Sequence, residues 1–237
     1  MNTAAILLCG GTSSRMQKIA SDKVLAEIQG RVIFEYSVIA FEKAKIISSY
    51  TIIYRDEPQR SVLEELLAPL TKKPIFWIKG GAERQGSVFN ALQSIPETMD
   101  FVMIHDCARP LVQSESIKQV YDAMLKDKSA VLAHRVVDTI KQVPVGLKSH
   151  RQADLTDLDR SRLWSMETPQ AFSFKLIRGA YNKLKLDKLN VTDDTAAISH
   201  FGYKVTLVEN SYPNPKITRP EDLSIAELLL QQRAKKD

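Results

Sequence analysis

The run Leu8-Cys9-Gly10-Gly11-Thr12-Ser13-Ser14-Arg15-Met16, followed shortly by Lys23, combines small residues with two cations. Small residues let backbone N–H groups close on phosphate oxygens, and Arg15 and Lys23 add mobile positive charge to the same loop. An anionic ligand is the chemistry this spacing suits, with Cys9, Gly10 and Gly11 forming its backbone cradle. Further on, Gly80-Gly81-Ala82-Glu83-Arg84-Gln85-Gly86-Ser87 lies between a strand pattern and a helix pattern. Gly80 and Gly81 allow a flat base to approach the backbone, while Ser87 either caps the helix or bonds the ligand. His105-Asp106-Cys107-Ala108-Arg109-Pro110 ends a strongly apolar run. Asp106 suits a ribose hydroxyl or a metal ion and Arg109 a phosphate; a turn in which the two pair with each other is the plainer alternative. Ser165–Phe172 reads as a turn followed by a helix, and Thr192-Asp193-Asp194 as an acidic helix start. Lys216, in the strand-like run Asn214-Pro215-Lys216-Ile217-Thr218, reads as a buried cation inviting a phosphate.

Other chemistries find no support. His105, His134, His150 and His200 have no metal-ligand spacing, and no His-Glu-x-x-His or Gly-x-Ser-x-Gly motif occurs. The first glycine loop matches neither the P-loop nor the dinucleotide fingerprint. Cys9 and Cys107 are too few and too far apart for a disulfide framework, and are expected as small core or loop residues in a reducing compartment. What remains is Lys, Arg, Asp and Gly, a set for phosphoryl or nucleotidyl transfer and not for a covalent nucleophile.

These residues need strands and helices to bring them together. Apolar runs predict strands at Thr3–Leu8, Tyr50–Tyr54, Pro74–Ile78, Asp100–His105, Ala130–His134 and Lys204–Val208. Between them, Val32–Ala44, Glu64–Leu70, Ser87–Ile95 and Ser116–Leu125 have helical spacing, with Val32, Tyr36, Ile39 and Ala40 on one face of the first. Strands alternating with helices predict βαβ units and a largely parallel sheet covered on both faces. Pro220, Glu221 and Asp222 open a terminal helix over Leu223–Gln232. Val136–Thr168 breaks the rhythm. Its scattered apolar residues Val143, Leu147, Leu155, Leu158, Leu163 and Trp164 predict an arm that docks on something else.

The bulk composition narrows the class further. The chain has 237 residues, 44% hydrophobic and 26% charged, enough to bury the core of one large α/β domain. No apolar run approaches the ~20 residues that span a bilayer, and Met1–Cys9 reads as a first buried strand, so no membrane and a cytoplasmic location are expected. The net charge of +5 is dispersed apart from Arg233–Lys236, which fits phosphate substrates better than nucleic acid.

Taken in order, these stretches resemble the 2-C-methyl-D-erythritol 4-phosphate cytidylyltransferase family from Ala5 to about Leu229. The most specific pieces are Arg84–Val88, His105–Pro110, Thr168–Phe172, Thr192–Asp194, and Lys216–Thr218 followed by Pro220–Asp222. The resemblance implies a single Rossmann-like nucleotidyltransferase domain over residues 1–237, with residues 136–165 as an arm exchanged within a homodimer. It implies transfer of CMP from CTP to 2-C-methyl-D-erythritol 4-phosphate, giving CDP-methylerythritol and pyrophosphate, with Mg²⁺ held mainly by the CTP phosphates without a direct protein ligand. Arg15, Lys23, Arg160 and Lys216 match the family's catalytic positions, and Arg109, Thr139 and Thr192 its acceptor contacts. Gly80, Gly81 and Ser87 fall where cytosine is held, with Asp106 on the ribose side. Four positions depart from the pattern: Ser13 replaces a glycine, Asp22 replaces the proline before the lysine, Ala82 stands where aspartate is common, and Pro215 stands where isoleucine is usual before the second lysine. The Gly10–Gly11 pair and the longer loop also occur in ribitol-5-phosphate cytidylyltransferases, which remain the alternative.

Overall fold

The computed structural model describes residues 1–11, 22–146 and 151–235. Arg15 and the rest of the first loop from 12 to 21 lie outside the described residues, as do Leu147 and His150 of the arm and Lys236. In chain order the strands are β1 (Thr3–Leu8), β2 (Glu27–Ile28), β3 (Arg31–Val32), β4 (Ser49–Tyr54), β5 (Ile75–Lys79), β6 (Phe101–Asp106), β7 (Ser129–Arg135), β8 (Lys141–Gln142), β9 (Thr156–Asp157), β10 (Trp164–Ser173) and β11 (Thr206–Glu209). The helices are α1 (Ile33–Ala44), α2 (Glu57–Leu67), α3 (Arg84–Ser94), α4 (Ser114–Asp127), α5 (Phe174–Leu186), α6 (Asp194–Ser199) and α7 (Glu221–Ala234).

A seven-stranded sheet in the order β11-β7-β10-β6-β1-β4-β5 forms the centre. Its pairs are parallel except those of β10, which runs antiparallel between β6 and β7. β1, β4 and β6 are buried almost throughout because helices cover both faces. Alternation along β1 sends Ala5 and Leu7 to one core with Phe34, Phe41, Leu63 and Val120, and Ala4 and Ile6 to the other with Val88, Leu92, Ile177 and Leu184. A third, smaller cluster gathers Ile28, Ile33, Leu111, Ile217 and Ala226 under α7.

The mostly parallel α/β fold matches the sequence expectation, and Thr3–Leu8 matches to the residue. Four local expectations do not hold. The buried face of α1 is Ile33, Phe34, Ser37, Val38, Ala40, Phe41 and Ala44, so of the expected face only Ala40 is buried. α2 begins at Glu57 and not Glu64, because Asp56 caps it by accepting the Gln59 N–H at 2.9 Å. Ser165–Phe172 is strand, not turn and helix; the helix starts only at Phe174. Asn214–Thr218 is irregular chain, and Lys216 is partly exposed.

The arm leaves the sheet between β7 and β10, where Arg135 pairs with Trp164 and the Val136 N–H donates to Leu163 O at 3.2 Å. It carries its own small ladder, β8 on β9. Arg160 Nη1 ties its two limbs by donating to Val137 O at 2.7 Å. Val137, Val143, Val145 and Leu155 on it are exposed, so these apolar groups do not dock on their own body.

Candidate active site

The carboxyl ends of β1, β4, β5 and β6 converge, the place where open α/β sheets bind ligands. There a cavity of about 380 Å³ is lined by Cys9, Gly10, Gly11, Lys23, Arg55, Gly80, Gly81, Ala82, Glu83, Arg84, Ser87, Asp106 and Lys216 among others. Thus the two glycine turns, Lys23, Ser87, Asp106 and Lys216, scattered over some two hundred residues of sequence, share one wall. Two of the glycines face neighbouring backbone at close range, and at Gly81 the space admits no side chain without a shift. A Cβ on Gly10 would meet the Tyr54 carbonyl at 3.3 Å, and one on Gly81 would lie 2.9 Å from the Gly86 carbonyl carbon. Ser87 does not cap α3. Its hydroxyl donates to Glu83 O at 3.1 Å and accepts the Gly81 N–H at 3.0 Å, which shapes the second glycine turn.

Asp106 is the electrostatic hub. Arg84 Nε donates to its Oδ1 at 3.2 Å and Lys216 Nζ to its Oδ2 at 2.6 Å. Burial alone would push this carboxyl up, but Arg84, Lys216 and Arg109 outweigh it and hold the pKa well below the usual carboxylate range. Arg109 contributes through space and does not bond the Asp106 carboxylate, so the alternative of an isolated Asp106–Arg109 pair does not hold. Lys216 is placed from both sides: the Ile217 N–H donates to Ala108 O at 2.7 Å, and Asp222 accepts the Thr218 N–H at 2.7 Å.

Arg84 is a contact that sequence reasoning left without a role. Besides Asp106 it makes a two-pronged bond to Asp194, Nη1 to Oδ1 at 3.1 Å and Nη2 to Oδ2 at 2.7 Å. Burial opposes its charge, yet Asp194 and Asp106 raise its pKa well above the ordinary value. Asp194 is fully buried, its carboxylate accepts the Tyr181 hydroxyl at 2.5 Å, and its backbone N–H donates to Gln170 Oε1 at 3.0 Å. The Thr168–Phe172 and Thr192–Asp194 stretches therefore build a brace behind Asp106. Asp193 caps α6 by accepting the Ala196 N–H at 2.8 Å, as its position predicts. Thr192, just before it, is exposed.

A neighbouring cavity of about 650 Å³ is lined by Arg109, His134, Glu167, Asn210, Asn214 and Lys216 with others. Arg109 Nη1 donates to Asn214 O at 2.7 Å, and Asn214 Nδ2 to the buried Glu167 at 2.9 Å. Lys216 belongs to the walls of both cavities. Thr139 and Arg160 are exposed on the arm and line neither. Among the described residues no cluster of three or more His, Cys, Asp or Glu is placed to hold a metal ion. Cys9 and Cys107 are buried and free, and burial, followed by the bond to Cys107, pushes the Cys9 thiol well up.

A largely parallel sheet whose strand ends gather glycine turns, lysines and a paired aspartate into one cleft defines the chain as a nucleotidyltransferase of the α/β class. The family model for 2-C-methyl-D-erythritol 4-phosphate cytidylyltransferase matches residues 3–232. The chain belongs to this family. A relative of that name from Caldanaerobacter subterraneus subsp. tengcongensis is 36% identical over 233 residues, covering 98% of this chain and 100% of its own. Another from Bacillus cereus is 36% identical over 231 residues, covering 97% and 98%. The crystal structure of 4-diphosphocytidyl-2C-methyl-D-erythritol synthase from Anaerococcus prevotii superposes with a TM-score of 0.83 at 26% identity, covering 97% of this chain and 98% of its own. These similarities favour the methylerythritol phosphate enzymes over the ribitol phosphate alternative. No described helix is long and apolar enough to cross a membrane.

Proposed function

We propose that this chain transfers the cytidylyl group of CTP to 2-C-methyl-D-erythritol 4-phosphate, forming CDP-methylerythritol and pyrophosphate on the route to isoprenoids. The observation that carries the reading is Lys216, which stands on the common wall of a glycine-lined cavity and a second cavity holding Arg109. The first cavity takes CTP, with the base against Gly80, Gly81 and Ser87 and the ribose towards Asp106. The second takes the acceptor, whose phosphate Arg109 and Lys216 hold.

A phosphate oxygen of the acceptor attacks the α-phosphorus in line, and the bond to the pyrophosphate oxygen breaks. Such transfer needs positioning and charge neutralisation more than covalent chemistry. Lys23, and Arg15 by its place in the family pattern, stabilise the charge that develops on the α-phosphate. The wall carboxylates are Asp106 and Glu83, and both Asp106 oxygens already carry a cation. A Mg²⁺ ion would therefore enter with the nucleotide and not on a dedicated protein site, and would supply charge neutralisation for the triphosphate.

Two further assignments complete the reading. The exposed apolar side chains of the arm suit a second copy of the chain, in a homodimer in which the arm carries Arg160 and Thr139 to the partner's acceptor cavity, while Thr192 contributes from its own subunit. Two free, buried thiols and phosphorylated substrates suit the cytoplasm. Pyrophosphate release from CTP, measured separately with methylerythritol phosphate and ribitol 5-phosphate, tests the function. Release with the first acceptor alone is expected; release with the second alone transfers the assignment to ribitol phosphate.

A further inference from the structure

Asp22, which departs from the family pattern just before Lys23, is buried, and both its oxygens are engaged. Oδ1 accepts the Val24 N–H at 3.1 Å, capping the 3-10 turn Lys23–Leu25. Oδ2 accepts Arg55 Nη1 at 2.9 Å and Gln59 Nε2 at 2.5 Å. Gln59 comes from the first turn of α2 and is only 2% exposed. Its Nε2 also donates to Cys9 O at 3.0 Å, and its Oε1 accepts the Arg55 N–H at 2.6 Å. One buried amide thus touches the chain where it leaves β1 and again where it returns in front of Lys23. Arg55 is itself held by Asp56, Nε to Oδ2 at 2.7 Å, and lies on the wall of the glycine-lined cavity.

A bare carboxylate at position 22 would repel a triphosphate and draw on the charge of Lys23. A buried carboxylate is tolerated when its partners are fixed around it. We propose that Gln59, Asp22 and Arg55 are positioning residues for the nucleotide half of the reaction. Gln59 clamps both ends of the first glycine loop, Asp22 sets the turn that presents Lys23, and Arg55 cancels the Asp22 charge at the cavity wall. The proposal rests on reading that cavity as the CTP site. The three residues act through Lys23 and not on the reacting atoms.

Steady-state pyrophosphate release by the full chain, with each substrate varied in turn, tests it. Arg55→Ala is expected to lower kcat/KM for CTP by about tenfold or more while the acceptor KM stays within about twofold. Adding Asp22→Asn is expected to restore most of the loss, because the uncompensated charge is gone. A loss that Asp22→Asn does not relieve, or one shared equally by both substrates, overturns the role of Arg55. The clamp is read without nucleotide, by hydrogen exchange of the segment containing Val24. Gln59→Met is expected to speed that exchange by about tenfold or more while distant core segments keep wild-type rates. Unchanged exchange near Val24, or faster exchange throughout the protein, overturns the clamp. A wild-type chain that releases no pyrophosphate from CTP defeats the CTP reading by itself, and the exchange measurement still decides the clamp.

Discussion

Lys216 Nζ lies 2.6 Å from Asp106 Oδ2 across 110 residues of sequence, and the lysine is shared by the two cavities. One ammonium facing a carboxylate on the nucleotide side and open space on the other is placed to join two phosphorylated reactants. Lys216→Ala is expected to lower kcat/KM for the acceptor by about ten- to a hundredfold, the loss of one charge-assisted hydrogen bond. Lys216→Arg is expected to recover part of that activity. Initial rates with the acceptor varied check this, and a wild-type acceptor KM in Lys216→Ala would remove the lysine from the acceptor site.

Lys23 opens a 3-10 turn on the cavity wall, beside the Gly10–Gly11 turn. A preorganised cation at the developing charge is worth about 3–4 kcal/mol, so Lys23→Ala, and likewise Arg15→Ala, is expected to cut kcat by roughly a hundredfold or more. The arm sharpens the same experiment. If Arg160 serves the partner subunit, mixed dimers of Lys23→Ala and Arg160→Ala chains regain one intact site and about a quarter to half of the wild-type rate, as one working site in two allows. Purified heterodimers as inactive as either parent would place Arg160 outside the partner's site.

The Arg84–Asp194 pair behind Asp106 is a matter of stability as well as geometry. Asp194 is fully buried, so removing its guanidinium strands a carboxylate in the core. Arg84→Met is expected to cost about 3–5 kcal/mol in denaturant unfolding. Adding Asp194→Leu should give back part of it, since the two residues are coupled. A double variant as unstable as the sum of the singles would mean the pair is not coupled.

His105 carries the acid sensitivity of the core. Burial drives its pKa down to about 4, with Asp106 opposing and Arg109 reinforcing the shift. Its ring is enclosed by Ser37 at 3.3 Å, Thr168 at 3.0 Å and the edge-on ring of Phe41. The unfolded imidazole titrates near 6.5, so the folded pKa is the lower one. Its contribution is then complete above about pH 6.5 and is lost as pH falls towards 4, up to about 3 kcal/mol. Asp106, also depressed, acts in the same direction only below about pH 4. Unfolding free energies between pH 7 and pH 4 should fall steeply in the wild type and more gently in His105→Gln. Equal slopes would assign the acid loss to other groups.

Much of this architecture could be read along the chain. Buried parallel strands are written as continuous apolar runs, so β1, β4, β6 and β7 are legible with small errors at their ends, and the half-buried edge strands β5 and β11 are legible from shorter apolar runs. Glycine turns and charged residues at those strand ends pointed to the cleft, and Gly10, Gly11, Lys23, Gly80, Gly81, Asp106 and Lys216 all line it. β10 escaped because Thr168-Pro169-Gln170 has the composition of a turn. It is a strand only because β6 and β7 flank it, with the ladder shifting register between Met166 and Gln170.

The sequence by itself determined which backbone turns can receive phosphates and which cations accompany them, since those depend on residue type and local spacing. Only the tertiary structure decided how the charges are partnered. Arg84 finds Asp194 at 110 residues' separation, and Asp22 finds Arg55 at 33 and Gln59 at 37. Hydrogen bonds and ion pairs act over a few ångströms of space, and no local pattern records which distant residue the fold brings that near.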